Sequence, residues 1–465
     1  MSLPNQLKFN LGDTGLKEHG ARRMDRKPQD QFPLQSKPSS EVLSDGISLK
    51  ASMGYSFLGQ IFYLISQLVI LSALAHFRGP AAVGEFGLAL AITTPLFLLL
   101  NMGFRTAQAV DIGEQFSFAT YGGTRLLLTI VATIISIVLA ALYVDRLSTF
   151  LIVVAVVLAK VFESISNLAY GAFQQAGRMD LMAVSFVLRG SITAVAFVSL
   201  LLLGADTATA LASQVVVWGV IGVFLDYPRA SRLVTGTLTY PRLSIGESWR
   251  LLRHSAPLGG GLLANSLQMT VTRLMVERML GLEALGLFTA VGYFQQASVT
   301  ASNSVSNAIM NKLARLTRSG QRDKLRKVLL GLLLLLVCAG AAGVAICYYF
   351  GDVILLVLFG KSYIAATPLL FIISLSICLR MISTLPQSLL FAEQRYKEFL
   401  AFQVVSLGLA AGLGYYFISR YGLLGAGYVL LAVALFRLVV FEIVVMLRPR
   451  GTPNKGTASR KDDQT

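Results

Sequence analysis

Gly281-Leu282-Glu283-Ala284-Leu285-Gly286-Leu287-Phe288 is a short break between two long apolar runs, and it repeats an earlier one, Gly79-Pro80-Ala81-Ala82-Val83-Gly84-Glu85-Phe86. Both read glycine, four residues, glycine, one residue, phenylalanine. A three-residue match is weak in a chain with 41 glycines. The context strengthens it, because one copy follows the first apolar run and the other follows the seventh. An internal repeat of this kind predicts two homologous halves packed around a binding site near the membrane midplane.

Composition agrees with a membrane reading. Hydrophobic residues make up 55% of the 465 positions, charged residues only 14%, and the mean hydropathy is +0.66. Soluble domains carry about 25% charged residues. The formal charge of +16 raises a nucleic-acid reading, but the basic residues fall in short loops and tails, where they encode membrane topology. No nucleic-acid partner is expected. Cys338, Cys347 and Cys378 all lie inside apolar runs, which suggests neither disulfides nor a zinc site. No cofactor or metal is expected.

Residues 1–52 are polar and proline-containing and read as a disordered cytoplasmic tail. No cleavable signal peptide is visible, so the first span is expected to act as its own insertion signal. Twelve spans follow, each near the ~20 residues a bilayer core requires. The first six are 54–77, 86–104, 125–144, 149–169, 181–203 and 207–226, in an amino-terminal lobe over 53–226. The last six are 256–277, 286–309, 328–350, 366–390, 398–419 and 423–446, in a carboxy-terminal lobe over 256–447. A cytoplasmic linker, 227–255, joins the lobes, and 448–465 is a second disordered tail. The expected fold class is an all-α membrane protein of about 12 transmembrane helices in two six-helix bundles around a central cavity. Within the linker, Ser248–Arg253 is expected as a short surface helix, with Trp249 at headgroup level. The longest outer turn is expected over 351–365, with 353–359 lying along the membrane surface.

Basic residues orient the chain. Of the 40 Lys and Arg, only Arg78, Arg146, Arg278, Lys361 and Arg420 fall in turns on the outer side, and five lie within spans. The remainder collect on the other side, which places both termini in the cytoplasm.

An ionisable residue inside a span is a functional candidate by default. Lys160, Arg189, Arg273, Arg380 and Arg437 qualify, with the carboxylates Glu163, Glu277 and Glu442. Lys160 and Glu163 share a helical face, as do Arg273 and Glu277, so each pair reads either as a structural ion pair or as part of a site. Arg437 and Glu442 lie near the inner end of the last span, where snorkelling to the interface is expected. Arg189 and Arg380 lie deeper, without a partner on their own helices, and are placed in a water-filled cavity. Their excess of positive charge favours an anionic ligand. Gln60, Gln67, Gln295, Gln296, Asn303 and Asn307 read either as interhelical glue or as a surface facing sugar hydroxyls.

Leu358-Phe359-Gly360-Lys361-Ser362-Tyr363-Ile364-Ala365-Ala366-Thr367-Pro368-Leu369-Leu370 resembles the Phe-Gly-x-x-Tyr-x-x-Ala-x-x-x-Leu segment that leads into the tenth helix of a known family. That family is the polysaccharide-transporter branch of the multidrug/oligosaccharidyl-lipid/polysaccharide exporter superfamily. The glycine turn after the first helix of each half agrees. So do the Ala392-Glu393-Gln394-Arg395-Tyr396 loop and its counterpart Phe173-Gln174-Gln175-Ala176-Gly177-Arg178. The resemblance covers about residues 50–447. It implies flipping of undecaprenyl-pyrophosphate-linked oligosaccharide from the inner to the outer leaflet of a bacterial inner membrane, by alternating access and not by an enzymatic reaction. The implied partners are the lipid-linked oligosaccharide and membrane lipids, with polysaccharide polymerase and chain-length proteins alongside. No family motif marks the substrate site, so the candidates rest on intramembrane charge: Arg189, Arg380, Lys160 and Arg273 for substrate, Glu163 and Glu277 for a coupling ion.

Three other readings compete. A multidrug or cation extruder calls for carboxylates in its spans, whereas these spans are net basic. A polysaccharide polymerase or ligase working at the outer face calls for a large outer loop, which is absent from the pattern. A non-transporting scaffold for polysaccharide assembly is the third. No Gly-rich phosphate cradle or Gly-x-Ser-x-Gly turn is present.

Overall fold

The computed structural model describes residues 49–110, 116–318, 322–392 and 396–446, which form helices joined by tight turns. The tails, the loop at 393–395, the side chains of Asn303 and Asn307, and that of Glu442 lie outside the described residues. In chain order the helices are α1 (Leu49–Asn101), α2 (Phe104–Val110), α3 (Phe118–Tyr143), α4 (Leu147–Gln175), α5 (Met179–Leu202) and α6 (Thr207–Val220). They continue with α7 (Tyr227–Thr235), α8 (Ile245–Arg318), α9 (Arg322–Phe359), α10 (Thr367–Ala392), α11 (Tyr396–Tyr421) and α12 (Leu423–Met446). A π-helical turn, Ile221–Asp226, links α6 to α7, and a 3₁₀ turn, Lys361–Ala366, leads into α10.

The repeated glycine motif explains why α1 and α8 are so long. At Gly79 (φ 78°, ψ −175°) and Gly281 (φ 87°, ψ 178°) the chain takes one residue of a conformation essentially reserved for glycine, and the helix resumes at once. Each therefore consists of two limbs that cross the membrane in opposite directions. Two limbs in each of α1 and α8, with α3, α4, α5, α6–α7, α9, α10, α11 and α12, make the twelve expected crossings.

The limbs of α1 pack with α3, α4 and α5, and those of α8 with α10, α11 and α12, while α1 and α8 also pack on each other. This is the pair of bundles the repeat predicts. Burial follows membrane logic, with apolar side chains outward. On α3, Leu126, Ile130, Ile134, Val138 and Leu142 form an exposed stripe every fourth residue. The opposite face, Arg125, Thr129, Ala132, Ser136 and Ala140, is buried.

The glycine turns sit where the bundles meet. A methyl group on Gly84 would overlap the Leu282 carbonyl, and one on Gly286 would overlap the Pro80 carbonyl. The second glycine of each repeat thus lets the other repeat's backbone approach to contact. Phe288 and Leu285 are fully buried beside this crossing.

Near the same end, the Ser72 hydroxyl donates to the Leu358 carbonyl, and Phe359 packs edge-on to Phe294 at 6.4 Å. Phe359, Tyr363, Ala366, Leu369 and Leu370 are all buried. The Phe-Gly-x-x-Tyr-x-x-Ala segment is therefore packing, turned by Gly360 (φ 92°). On the neighbouring α5–α6 turn, Asp206 caps α6. The Thr209 hydroxyl at 2.5 Å and the Thr209 and Ala208 amides hold its carboxyl below the usual carboxylate range.

Three local expectations are corrected. Residues 353–359 do not lie along the surface. They continue α9, whose 38 residues make a rod about 57 Å long at 1.5 Å per residue, and Leu355 and Phe359 face the core. Ser248–Arg253 is no separate helix but the first turns of α8, with Trp249 exposed. Between α7 and α8 the linker folds back on α3, where the Arg242 amide donates to the Ala119 carbonyl at 2.9 Å. Finally, α3 starts at Phe118 and not at 125, because the Ser117 hydroxyl caps it through the Thr120 amide at 3.1 Å.

Candidate functional site

Between the bundles lie two adjoining chambers, of about 370 Å³ against the amino-terminal bundle and about 310 Å³ against the carboxy-terminal one. Thr94, Arg273 and Gln296 belong to both walls. Position 94 lies ten residues down its limb from Gly84, about 15 Å from the crossing at helical rise.

The amino-terminal chamber is lined by Gln60 and Gln67 of α1, Arg105 of α2, Lys160 and Glu163 of α4, and Gln214 and Trp218 of α6. Lys160 Nζ donates to Glu163 Oε2 at 2.7 Å, with both side chains partly exposed to the chamber. Gln60 and Gln67 do share the chamber-facing side of α1, as their spacing indicated. Arg105 falls one residue beyond the expected second span, on α2. It reaches Gln174 Oε1 at 3.2 Å and lies 5.5 Å over the Tyr170 ring.

Arg189 is not on the chamber wall. Only 2% exposed, it stacks 4.1 Å over the Trp218 ring and donates to the Tyr170 hydroxyl at 3.3 Å. Tyr170 and Ser185 hydroxyls lie 2.7 Å apart, and Ser185 donates to Asp226 Oδ2 at 2.8 Å. Asp226, itself 1% exposed, sits in the π turn after α6. The hydrogen-bond chain from Arg189 therefore ends, through two hydroxyls, on a carboxylate of another element. Helical spacing within α5 could not reveal it.

The carboxy-terminal chamber carries Arg273, Arg380 and Arg437, with Asn265, Gln268 and Gln295. The expected snorkelling of Arg437 does not occur. It is 3% exposed, directed into the bundle, and bonded to Asn265 Oδ1 and Gln387 Oε1 at 3.2 Å each. Arg380 also donates to Asn265 Oδ1 at 3.2 Å.

Nor do Arg273 and Glu277 pair. Glu277 accepts the Tyr143 hydroxyl at 2.6 Å, a bond from α3 to α8 that ties one bundle to the other, while Arg273 reaches into the chambers. The physical reason is that the Tyr143 phenol satisfies Glu277 one turn further out, while Arg273 is directed to the chambers and not along its own helix. Among the described residues the ion pairs within 4 Å are Lys160–Glu163 and Arg178–Asp180.

A buried Arg125 was also missed, since its helix starts earlier than hydropathy alone suggests. Its Nε lies 3.1 Å from both Asn101 Oδ1 and Ser164 Oγ. The cap signal at Ser117 could have found it.

The walls thus bear Arg105, Lys160, Arg273, Arg380 and Arg437 against Glu163. Such a surface stabilises an anion and repels a cation.

Comparison with known proteins agrees with the architecture. Residues 49–311, more than half the chain, match the family described as polysaccharide biosynthesis protein. The capsular polysaccharide biosynthesis protein CapF of Staphylococcus aureus is 23% identical over 376 residues, covering 81% of this chain and 93% of CapF. Among solved structures, the lipid II flippase MurJ in an inward closed conformation superposes with a TM-score of 0.69 at 10% identity, covering 83% of this chain and 86% of MurJ. A MOP superfamily transporter from Pyrococcus furiosus gives a TM-score of 0.62 at 14% identity, covering 89% and 99%. These structural likenesses show a shared fold.

Proposed function

The chain belongs to the polysaccharide biosynthesis protein family, and from that premise we propose that it flips undecaprenyl-diphosphate-linked oligosaccharide units across the bacterial inner membrane. The observation that carries this reading is a membrane-embedded cavity with five basic side chains and one carboxylate among the described residues of its walls. A glycosyl diphosphate cannot cross ~30 Å of hydrocarbon unaided. A cationic, amide-lined path between the bundles lowers that barrier while the polyprenyl tail stays in lipid.

In this reading the termini are cytoplasmic, as the basic residues indicate, and the glycine crossing is the outer closure. Arg273, Arg380 and Lys160 meet the head group directly. Arg189 acts from behind Trp218, holding the ring and adding to the positive field. Rocking of one bundle against the other alternates access. Glu163 inside the chamber and Glu277 at the bond between bundles are the carboxylates we assign to a coupling ion. Delivery of flipped units to polymerase and chain-length proteins follows from the same role.

The test is the leaflet distribution of lipid-linked oligosaccharide after deletion of the gene, read in oriented vesicles with a membrane-impermeant sugar-modifying reagent. Complete units should accumulate on the cytoplasmic face. Complete but unpolymerised units on the outer face would overturn the proposal in favour of a polymerase.

A further inference from the structure

Asn265, on the first limb of α8, accepts from two guanidiniums at once: Nη2 of Arg380 on α10 and Nη1 of Arg437 on α12. Arg437 is held further by Gln387 and by the Phe402 ring at 5.7 Å. Its Nε is buried without an acceptor, and so is the Nε of Arg273. No carboxylate of a described residue lies within 4 Å of these three arginines.

Two like charges that share one neutral oxygen repel each other, and an amide dipole cancels neither. A guanidinium offers five donors in a planar fork suited to phosphate oxygens. Here much of that capacity is unspent, and the side chains are already ordered by Asn265, Gln387 and Phe402. The amino-terminal chamber differs, because Lys160 there is compensated by Glu163, and Arg105 is drawn to Gln174 and the Tyr170 ring. The carboxy-terminal chamber, at about 310 Å³, is of a size to take a diphosphate.

We propose that Arg380 and Arg437, set by Asn265 and joined by Arg273, form an oxyanion subsite in the carboxy-terminal bundle that takes the head group's diphosphate. The glycan then occupies the amide-lined amino-terminal chamber. The subsite rests on the flippase reading for the source of its diphosphate, but its anion chemistry stands on the arginine geometry. Asn265 is a positioning residue, and it supplies the sharpest test. An aspartate there would place a carboxylate between the two guanidiniums and occupy the subsite from within.

The experiment measures equilibrium binding of labelled inorganic pyrophosphate to the purified full-length protein in detergent, with Tm recorded in parallel. Asn265→Asp should weaken binding at least tenfold with Tm unchanged or raised, a combination that misfolding cannot produce. Arg380→Gln and Arg437→Gln should weaken it comparably, Arg437→Lys less, and Arg178→Gln, at the α4–α5 turn outside both chambers, hardly at all. Wild-type affinity in Asn265→Asp, or an equal loss in Arg178→Gln, would overturn the subsite.

Competition separates the two sources of the anion. Displacement by farnesyl diphosphate supports the lipid head group, whereas displacement by inorganic phosphate alone overturns that assignment. Failure of the subsite leaves the leaflet assay untouched, and a normal leaflet distribution after deletion sinks the flippase reading with the subsite intact.

Discussion

Arg189 shows how much a charge's role depends on its neighbours. Its depth in α5 marks it as special, yet its environment is Trp218, Tyr170 and, through Ser185, Asp226. Removing one member of a buried ionic arrangement typically costs about 3–5 kcal/mol, because the other charge is left uncompensated. Arg189→Ala should therefore lower Tm as well as transport, and Arg189→Ala with Asp226→Asn should recover part of the lost Tm. An additive or worse double variant would show that the two charges do not communicate. Glu163 poses the converse case. Glu163→Gln leaves Lys160 uncompensated on the chamber wall, so the ion dependence of transport in proteoliposomes should change. An unaltered dependence would remove Glu163 as a carrier.

At the scale of elements, the deciding feature is a helix that reverses direction in one residue. Gly79 and Gly281 adopt the same positive-φ conformation, so α1 and α8 fold back without a loop and present Gly84 and Gly286 to each other. Gly84→Ala and Gly286→Ala should each disfavour the closed crossing, since overpacking costs about 1–3 kcal/mol, or between about five-fold and about 160-fold in population. A cysteine introduced at Thr94 on the chamber wall should then react faster with an impermeant thiol reagent added from outside. Unchanged labelling in both variants would mean that the crossing is not the outer closure. Hydropathy located the runs on either side but could not show that the turns touch, because contact depends on the tertiary approach of two segments half a chain apart.

For the whole molecule, two bundles tied at one end and separated by chambers form a two-state machine if the tie can break. Tyr143 and Glu277 bridge the bundles, so a protein carrying Tyr143→Cys and Glu277→Cys should lose transport when treated with a short bifunctional thiol reagent. Either single cysteine should tolerate the treatment, and full activity after verified crosslinking would argue against separation at this end. The chain by itself determined the membrane class, the twelve crossings, the doubled architecture and the basic character of the interior. Each of these follows from hydrophobic run length, glycine position and the cost of placing charge in lipid, all local properties of sequence. Only the tertiary structure decided which charges meet. It took Arg189 off the wall, brought Arg105 and Arg437 in, separated Arg273 from Glu277, and joined Arg380 and Arg437 through Asn265. Spacing along one helix specifies a face but not what the face opposes, and in a helical membrane protein a charge takes its role from the helix across from it.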